Sequence, residues 1–156
     1  MTAQLEAGDK APDFDLPGDG GKPVSLRKAR GGKTVLYFYP KDDTEACTAE
    51  AIAFNGLRAQ FAEAGVQIFG ISPDSVKSHE KFKRKHGLEL TLAADEGRAA
   101  LDAYGVWKEK SMYGRKYMGV ERTTMLIDAK GVIARIWRKV RVRGHAEEVL
   151  AAARAL

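Results

Sequence analysis

Cysteine is nearly absent: Cys47 is the only one in 156 residues, so the chain cannot form an internal disulfide. That excludes the disulfide-stapled class of small secreted domains. It leaves the thiol as either an inert buried residue or one with chemistry to do. No apolar run reaches the ~20 residues of a membrane span. The opening MTAQLEAGDKAPDF has neither the basic start nor the apolar stretch of a signal peptide, so a cytoplasmic protein with no membrane partner is expected. Internal repeats, low-complexity tracts and linkers are missing as well, and the expectation is one α/β domain over residues 1–156. Histidine is scarce: three scattered His and one Cys show no ligand spacing, so neither a metal site nor a cofactor is expected.

What the chain does have is enough apolar residues, 44%, to bury a core, and a mildly basic balance, +5 with a pI near 9.3. The densest basic stretch is RIWRKVRVRGH at 135–145. Read with a period of two, Val132, Ala134, Ile136, Val140 and Val142 share one face while Arg135, Lys139, Arg141 and Arg143 share the other. This is the pattern of a half-buried edge strand protected by charge. It is not accompanied by the Gly-rich or aromatic signature of RNA binding, so no nucleic-acid partner is expected.

Pro12, Pro17, Pro23 and GDGG mark an N-terminal hairpin and loop around Phe14 and Leu16. TVLYFY (34–39) reads as a buried strand stopped by Pro40. A helical pattern follows over about 46–64, and VQIFGIS (66–72) is a second strand, giving a strand, helix, strand unit with a parallel pair. SVKSHEKFKRKHG (75–87) is a charged helix closed by Gly87; a short strand near LTLAA and a helix around GRAALDAYG come next. Residues 106–122 read as a long Gly-rich loop. TTMLID and VIARIWRKV flank AKG as an antiparallel hairpin, and HAEEVLAAARAL closes the chain as a helix.

Phe54, Leu57, Phe61 and Ala64 define one core-facing stripe on the first long helix, and Cys47 lies seven residues before Phe54 on the same stripe. The thiol therefore falls in the first helical turn, at the carboxyl edge of the sheet, where open α/β sheets place ligands. Unpaired N–H groups and the positive end of the helix dipole favour a thiolate there. Thr44 is a hydroxyl near the helix start, and Pro40 stiffens the connecting loop. Position alone leaves an inert buried cysteine open.

PKDDTEAC, with its Pro-x-x-x-Thr-x-x-Cys spacing, resembles the signature of the peroxiredoxins. YFYPKDDT, KEKSMYGRKYMGVERTTMLID and WRKVRVRGH are similar to their bacterioferritin comigratory protein (Q) subgroup. The resemblance covers nearly the whole chain. It implies a thioredoxin-like fold, a central mixed sheet flanked by helices with an N-terminal hairpin extension, and a thiol-dependent peroxidase. It further implies Cys47 as the nucleophile that becomes a sulfenic acid, Thr44 as a hydrogen-bonding partner of the peroxide, and Pro40 as a shield against water. Arg122, which alone would read as a surface ion pair, takes the place of the family's active-site arginine, favouring the thiolate and holding the peroxide oxygens.

Three departures from the subgroup stand out. Glu45 and Ala46 replace its usual Pro-Gly, with Glu45 read as solvated at a helix start that suits it. Ile52 and Lys83 occupy the two places where related chains keep a second, resolving cysteine. A one-cysteine cycle is the consequence. Its partners are a peroxide and an external thiol reductant such as thioredoxin or glutaredoxin, and the expected oligomeric state is a monomer or at most a weak dimer. Two other readings compete: a redox-inert thioredoxin-fold binding protein, and a cysteine hydrolase using His79, His86 or His145 as base. His79 and His86 lie on the charged helix and His145 begins the last one, where solvated or capping roles are the common ones.

Overall fold

The computed structural model describes residues 4–29 and 31–156; Met1–Ala3 and Arg30 of the expected domain lie outside the described residues. The proline-bounded N-terminal segment forms the expected hairpin, β1 (Asp15–Pro17) paired with β2 (Pro23–Ser25). β3 (Lys33–Phe38) leads through a loop at 39–44 into α1 (Glu45–Gly56) and α2 (Arg58–Glu63), and then β4 (Val66–Ser72). α3 (Val76–His86) starts on a Ser75 cap, whose hydroxyl accepts from Ser78 N, and ends at Gly87 in the left-handed conformation, φ 63°. β5 (Thr91–Ala94), α4 (Ala99–Ala103), β6 (Trp107–Met112), β7 (Arg115–Val120), β8 (Thr123–Ile127), β9 (Ile133–Trp137) and α5 (His145–Ala155) complete the chain.

The main sheet has the order β5-β4-β3-β8-β9. β3, β4 and β5 are parallel, while β8 runs antiparallel to both of its neighbours, β3 and β9, so the sheet is mixed as expected. In β3 both faces are buried: Leu36 and Phe38 enter a core under α4 and the N-terminal hairpin. Val35 and Tyr37 enter a second core with α1, α2, α5 and Phe82 of α3. That is why TVLYFY is almost continuously apolar. Gly70 sits opposite Tyr37 on β4, and a Cβ there would come within 2.6 Å of the Tyr37 ring. Its missing side chain lets Tyr37 lie flat and stack 4.8 Å from Phe54, the aromatic anchor of α1. Packing in the core that Cys47 shares with Tyr37 and Phe54 thus fixes the depth and rotation of the helix that carries it.

Three expectations are corrected. The helix expected over 46–64 breaks at Leu57, whose ψ of 2° separates α1 from α2. Asn55 and Gly56, weak helix formers, precede the break, and the Asn55 carbonyl and side chain bond Arg58 and Glu89 instead. The loop expected over 106–122 is a two-stranded ribbon, β6 with β7, turning at Tyr113 (φ 52°) and Gly114 (φ 77°). Both turn residues take the positive φ of a tight hairpin turn. The basic edge strand stops at Trp137, with Lys139 at φ 50°. A register shift opposite Leu126/Ile127 puts Ile133 and Ile136 in one core and Ala134 and Trp137 against the other, so its apolar residues do not share one face.

Candidate active site

Thr44 is the extended residue before α1, but its side chain does not cap the helix. Its hydroxyl instead donates to Lys41 O at 2.9 Å. Cys47 is the third residue of the helix, in the first turn where backbone N–H groups have no intrahelical acceptor. The thiol is only 1% exposed and belongs to the core beneath α1. Pro40 lies half-buried where the chain leaves β3, at the start of the loop that Thr44 closes.

Arg122 stands between β7 and β8 and reaches across the carboxyl edge of the sheet, where its Nη2 donates to Cys47 Sγ at 3.3 Å. Its Nη1 donates to Glu50 Oε1 at 2.7 Å. One planar guanidinium therefore bridges a thiol and a carboxylate three residues apart on one helical face, a geometry lysine cannot reproduce. Glu50 is 1% exposed and its second oxygen, Oε2, has no hydrogen-bond partner among the described residues. Burial pushes the Glu50 carboxyl up to about 7, with the Arg122 charge opposing. The Tyr37 phenol below is raised well above its ordinary value, first by burial and then by Glu50.

A groove of about 530 Å³ runs from Arg122 between the β6–β7 ribbon and the segment after β9. Lys108, Lys110 and Tyr117 form one wall, Lys139 and Val140 the other. Lys108 pairs with Glu121 at 2.8 Å, whereas Lys110 and Lys139 have no ion-pair partner among the described residues. The Lys110 stem lies over Gly119, where an added Cβ would meet its Cδ at 3.4 Å. Burial first, and then the Arg122 charge, lower the pKa of its ammonium group.

Of the residues singled out from sequence, Cys47 and Arg122 are in direct contact, and Thr44 and Pro40 lie on the loop that enters the helix. Glu45 is exposed in the first turn, as expected. Ile52 is 50% exposed, and Lys83 pairs with Asp19. The histidines are a correction. His79 is fully buried and bonded to Asp42, with Asp74 in the same cluster of potential ligand atoms, all within 4.8 Å of one another. His145 is buried between Phe54 and Trp137 and bonded to Thr124 Oγ1 at 2.8 Å; burial lowers its pKa. The charged neighbours of each hid a buried position. Glu50 was missed too, although a Glu three residues after Cys47 on an apolar stripe was a visible signal.

A buried thiol at a helix start, gripped by a guanidinium at the carboxyl edge of a mixed sheet, defines a thiol-based redox enzyme rather than a hydrolase with a histidine base. Residues 7–136 match the AhpC/TSA family. The chain is 50% identical over 146 residues to a putative peroxiredoxin bcp of Coxiella burnetii, covering 94% of this chain and 97% of that one. It superposes with a TM-score of 0.93 on a structure of Xylella fastidiosa PrxQ, 37% identical, over 99% of this chain and 98% of that one. A Xanthomonas campestris bacterioferritin comigratory protein, whose structure was determined in work on its alkyl peroxide reduction activity, gives a TM-score of 0.87 at 45% identity, covering 91% and 90%. The chain belongs to the AhpC/TSA family, has its thioredoxin-like fold, and is a Bcp-type peroxiredoxin: a thiol-dependent peroxidase with a single cysteine. No helix among the described residues is long and apolar enough to cross a membrane.

Proposed function

We propose that Cys47 is the peroxidatic nucleophile, served by Arg122, Thr44 and Pro40, in a one-cysteine cycle. The observation that carries this is the Arg122–Cys47 contact at 3.3 Å, with the guanidinium fixed from behind by Glu50. The Cys47 thiolate attacks one oxygen of ROOH; the S–O bond forms as the O–O bond breaks, giving Cys47–SOH and RO⁻, which takes a proton and leaves as ROH. Arg122 and the first-turn N–H groups stabilise negative charge on sulfur before attack and on the departing oxygen during it. Thr44 has its only hydrogen on Lys41 O, which leaves its lone pairs to accept from the peroxide O–H. Pro40 narrows the water-facing side of the loop.

The sulfenic acid has no second cysteine to meet, so the groove beside Arg122 is the route for an outside thiol, whether a small molecule or the exposed thiol of a thioredoxin or glutaredoxin. Cys47 and Arg122 come from one chain, which supports action as a monomer with residues 1–156 as one domain. Dependence on a reduced thiol supports a cytoplasmic setting. The test is peroxide consumption with dithiothreitol as reductant. Cys47→Ser should abolish it, and parental turnover by that variant would overturn the assignment.

A further inference from the structure

The loop that carries Thr44 is held by a buried polar cluster that the chemistry above does not use. Asp42 is its centre. Its Oδ1 accepts from Tyr39 OH at 2.6 Å, and its Oδ2 accepts from Ser78 Oγ at 2.8 Å and is bonded to His79 Nδ1 at 2.7 Å. His79 is fully buried, and its Nε2 donates to Ala93 O at 3.0 Å, which ties the ring to the end of β5. The backbone N–H of Asp42 donates to Asp74 Oδ2 at 2.7 Å, and Ser72 Oγ donates to the same oxygen at 2.7 Å.

That N–H belongs to the Lys41–Asp42 peptide, and the carbonyl of the same peptide is the Lys41 oxygen that receives the Thr44 hydroxyl at 2.9 Å. A peptide is planar, so fixing its N–H and the attached side chain fixes the direction of its C=O. The next residue, Asp43, has a positive φ of 62° that a non-glycine residue rarely adopts. It is restrained by Lys85 at 2.7 Å and His86 at 2.8 Å from the same helix, α3. The turn is therefore held from outside, by α3 and by Asp74 just before that helix.

We propose that His79 is a positioning residue for peroxide reduction. Through Asp42 it fixes the Lys41–Asp42 peptide, whose carbonyl aims the Thr44 hydroxyl so that its lone pairs face the peroxide. This rests on the reading of Thr44 given above. Loss of the His79 contact leaves Asp42 held only by Tyr39, Ser78 and Asp74 and loosens that carbonyl, and a misdirected hydroxyl costs rate at Thr44 without altering the thiol.

The test is a double-mutant cycle read with two electrophiles. His79→Phe keeps the ring volume but has no donor; His79→Asn keeps a donor near the Nδ1 position. Each is combined with Thr44→Val. The second-order rate constant of Cys47 oxidation by hydrogen peroxide is compared with that of alkylation by iodoacetamide, which needs the thiolate but not Thr44. His79→Phe should slow peroxide oxidation by on the order of tenfold or more. It should leave alkylation within about twofold and have little further effect in Thr44→Val, the signature of two residues acting as one unit. His79→Asn should recover most of the peroxide rate. If His79→Phe does not fold, Asp74→Ala, which frees the peptide from its N–H side, enters the same cycle with the same expectation.

Three outcomes overturn the proposal: an undiminished peroxide rate in the folded variant, an equal loss in the Thr44→Val background, or a parallel fall in alkylation. A Thr44→Val enzyme that oxidises at the parental rate removes Thr44 from the reaction and the proposal with it. A large Thr44→Val effect beside a silent His79→Phe removes the proposal alone.

Discussion

Arg122 and Cys47, 75 residues apart in the chain, meet at 3.3 Å because β3 and β8 are paired neighbours in the sheet. The antiparallel register Phe38 to Thr123 brings the residue before β8 to the edge at which β3 releases the chain toward α1. The arginine is therefore delivered by the sheet, and its two bonds make different demands. Arg122→Met removes both and should lower the rate of peroxide oxidation of Cys47 by on the order of a hundredfold. Arg122→Lys should recover only part, because an ammonium cannot bridge Glu50 and the sulfur in one plane. Stopped-flow oxidation under pseudo-first-order peroxide is the measurement, and equal rates for all three proteins would remove Arg122 from the site.

Glu50 should make folding stability depend on pH in an unusual direction. Its carboxyl is raised from 4.5 to about 7 in the folded state, so between those values the folded protein holds a proton that the unfolded chain has released. Stability therefore falls as pH rises through that window, and the cost is fully present above pH 7. Each pH unit separating the folded from the unfolded carboxyl corresponds to about 1.4 kcal/mol, so the loss attributable to Glu50 is on the order of 3 kcal/mol. Glu50→Gln should abolish this contribution, so urea unfolding at pH 5 and pH 8 should show the variant gaining on the parent at the higher pH. No relative gain would mean that Glu50 stays ionised in the fold.

The turn of the ribbon bears on stability alone. Tyr113 is 98% exposed and has φ 52°, the conformation that favours Asn or Gly. Tyr113→Asn removes no packing and relieves a left-handed non-glycine residue, so it should stabilise the protein by on the order of 1 kcal/mol. The check is the urea midpoint, and a lower midpoint would show that the Tyr113 ring has a partner in solution.

What was readable in the sequence followed the cores. Strands with both faces buried, β3 and β4, announce themselves by apolar runs, and α3 by its Ser75 start and Gly87 stop. The ribbon was unreadable because Lys108, Glu109, Lys110 and Ser111 alternate with nothing apolar, and only Trp107 and Val120 at its base reach the core. Cys47, Thr44, Pro40 and Arg122 were singled out through motif and resemblance, and the sheet brings Arg122 onto Cys47. Glu50 and His79 escaped because each is a polar residue whose burial depends on partners from distant segments, Arg122 in one case and Asp42 with Ala93 in the other. The helical stripe placed Glu50 on the inner face, but local periodicity carries no information about the partners that make such burial tolerable.

The groove should discriminate among reductants by charge. In the proposed cycle oxidation turns a thiolate into a neutral sulfenic acid, removing one negative charge beside Arg122, at the head of the groove that Lys110 and Lys139 line, just when the reductant arrives. At equal thiolate concentration, mercaptoethanesulfonate should reduce Cys47–SOH faster than mercaptoethanol, and cysteamine should be slowest. The ordering should weaken with salt. Lys110→Glu with Lys139→Glu should reverse it. Identical rates for the three thiols in the parent would show that reductants enter elsewhere.

The missing second thiol shapes the products of oxidation. With one cysteine, one equivalent of peroxide should add one oxygen to the protein, trappable as a sulfenic acid, and excess peroxide should drive it on to sulfinic acid. Two positions are available for a resolving cysteine, and their structural costs differ. Lys83 is paired with Asp19, which also accepts the Leu92 N–H at 3.0 Å, so Lys83→Cys disturbs the anchor of the N-terminal segment on β5. Ile52 is 50% exposed, and Ile52→Cys costs the core little. Five residues turn a helix by about 500°, which places side chain 52 roughly 140° around the axis from the buried Cys47. A disulfide needs Cα atoms within about 7 Å and converging Cβ vectors, so it requires the first turns of α1 to unwind. Mass spectrometry after one equivalent of peroxide should show Ile52→Cys losing two hydrogens where the parent gains an oxygen. The disulfide should form more slowly than the sulfenic acid and faster in dilute urea, because unwinding is the slow step. A parent whose main product is an intermolecular Cys47 disulfide, with no oxygen adduct even in the presence of a sulfenic acid trap, would end the one-cysteine cycle.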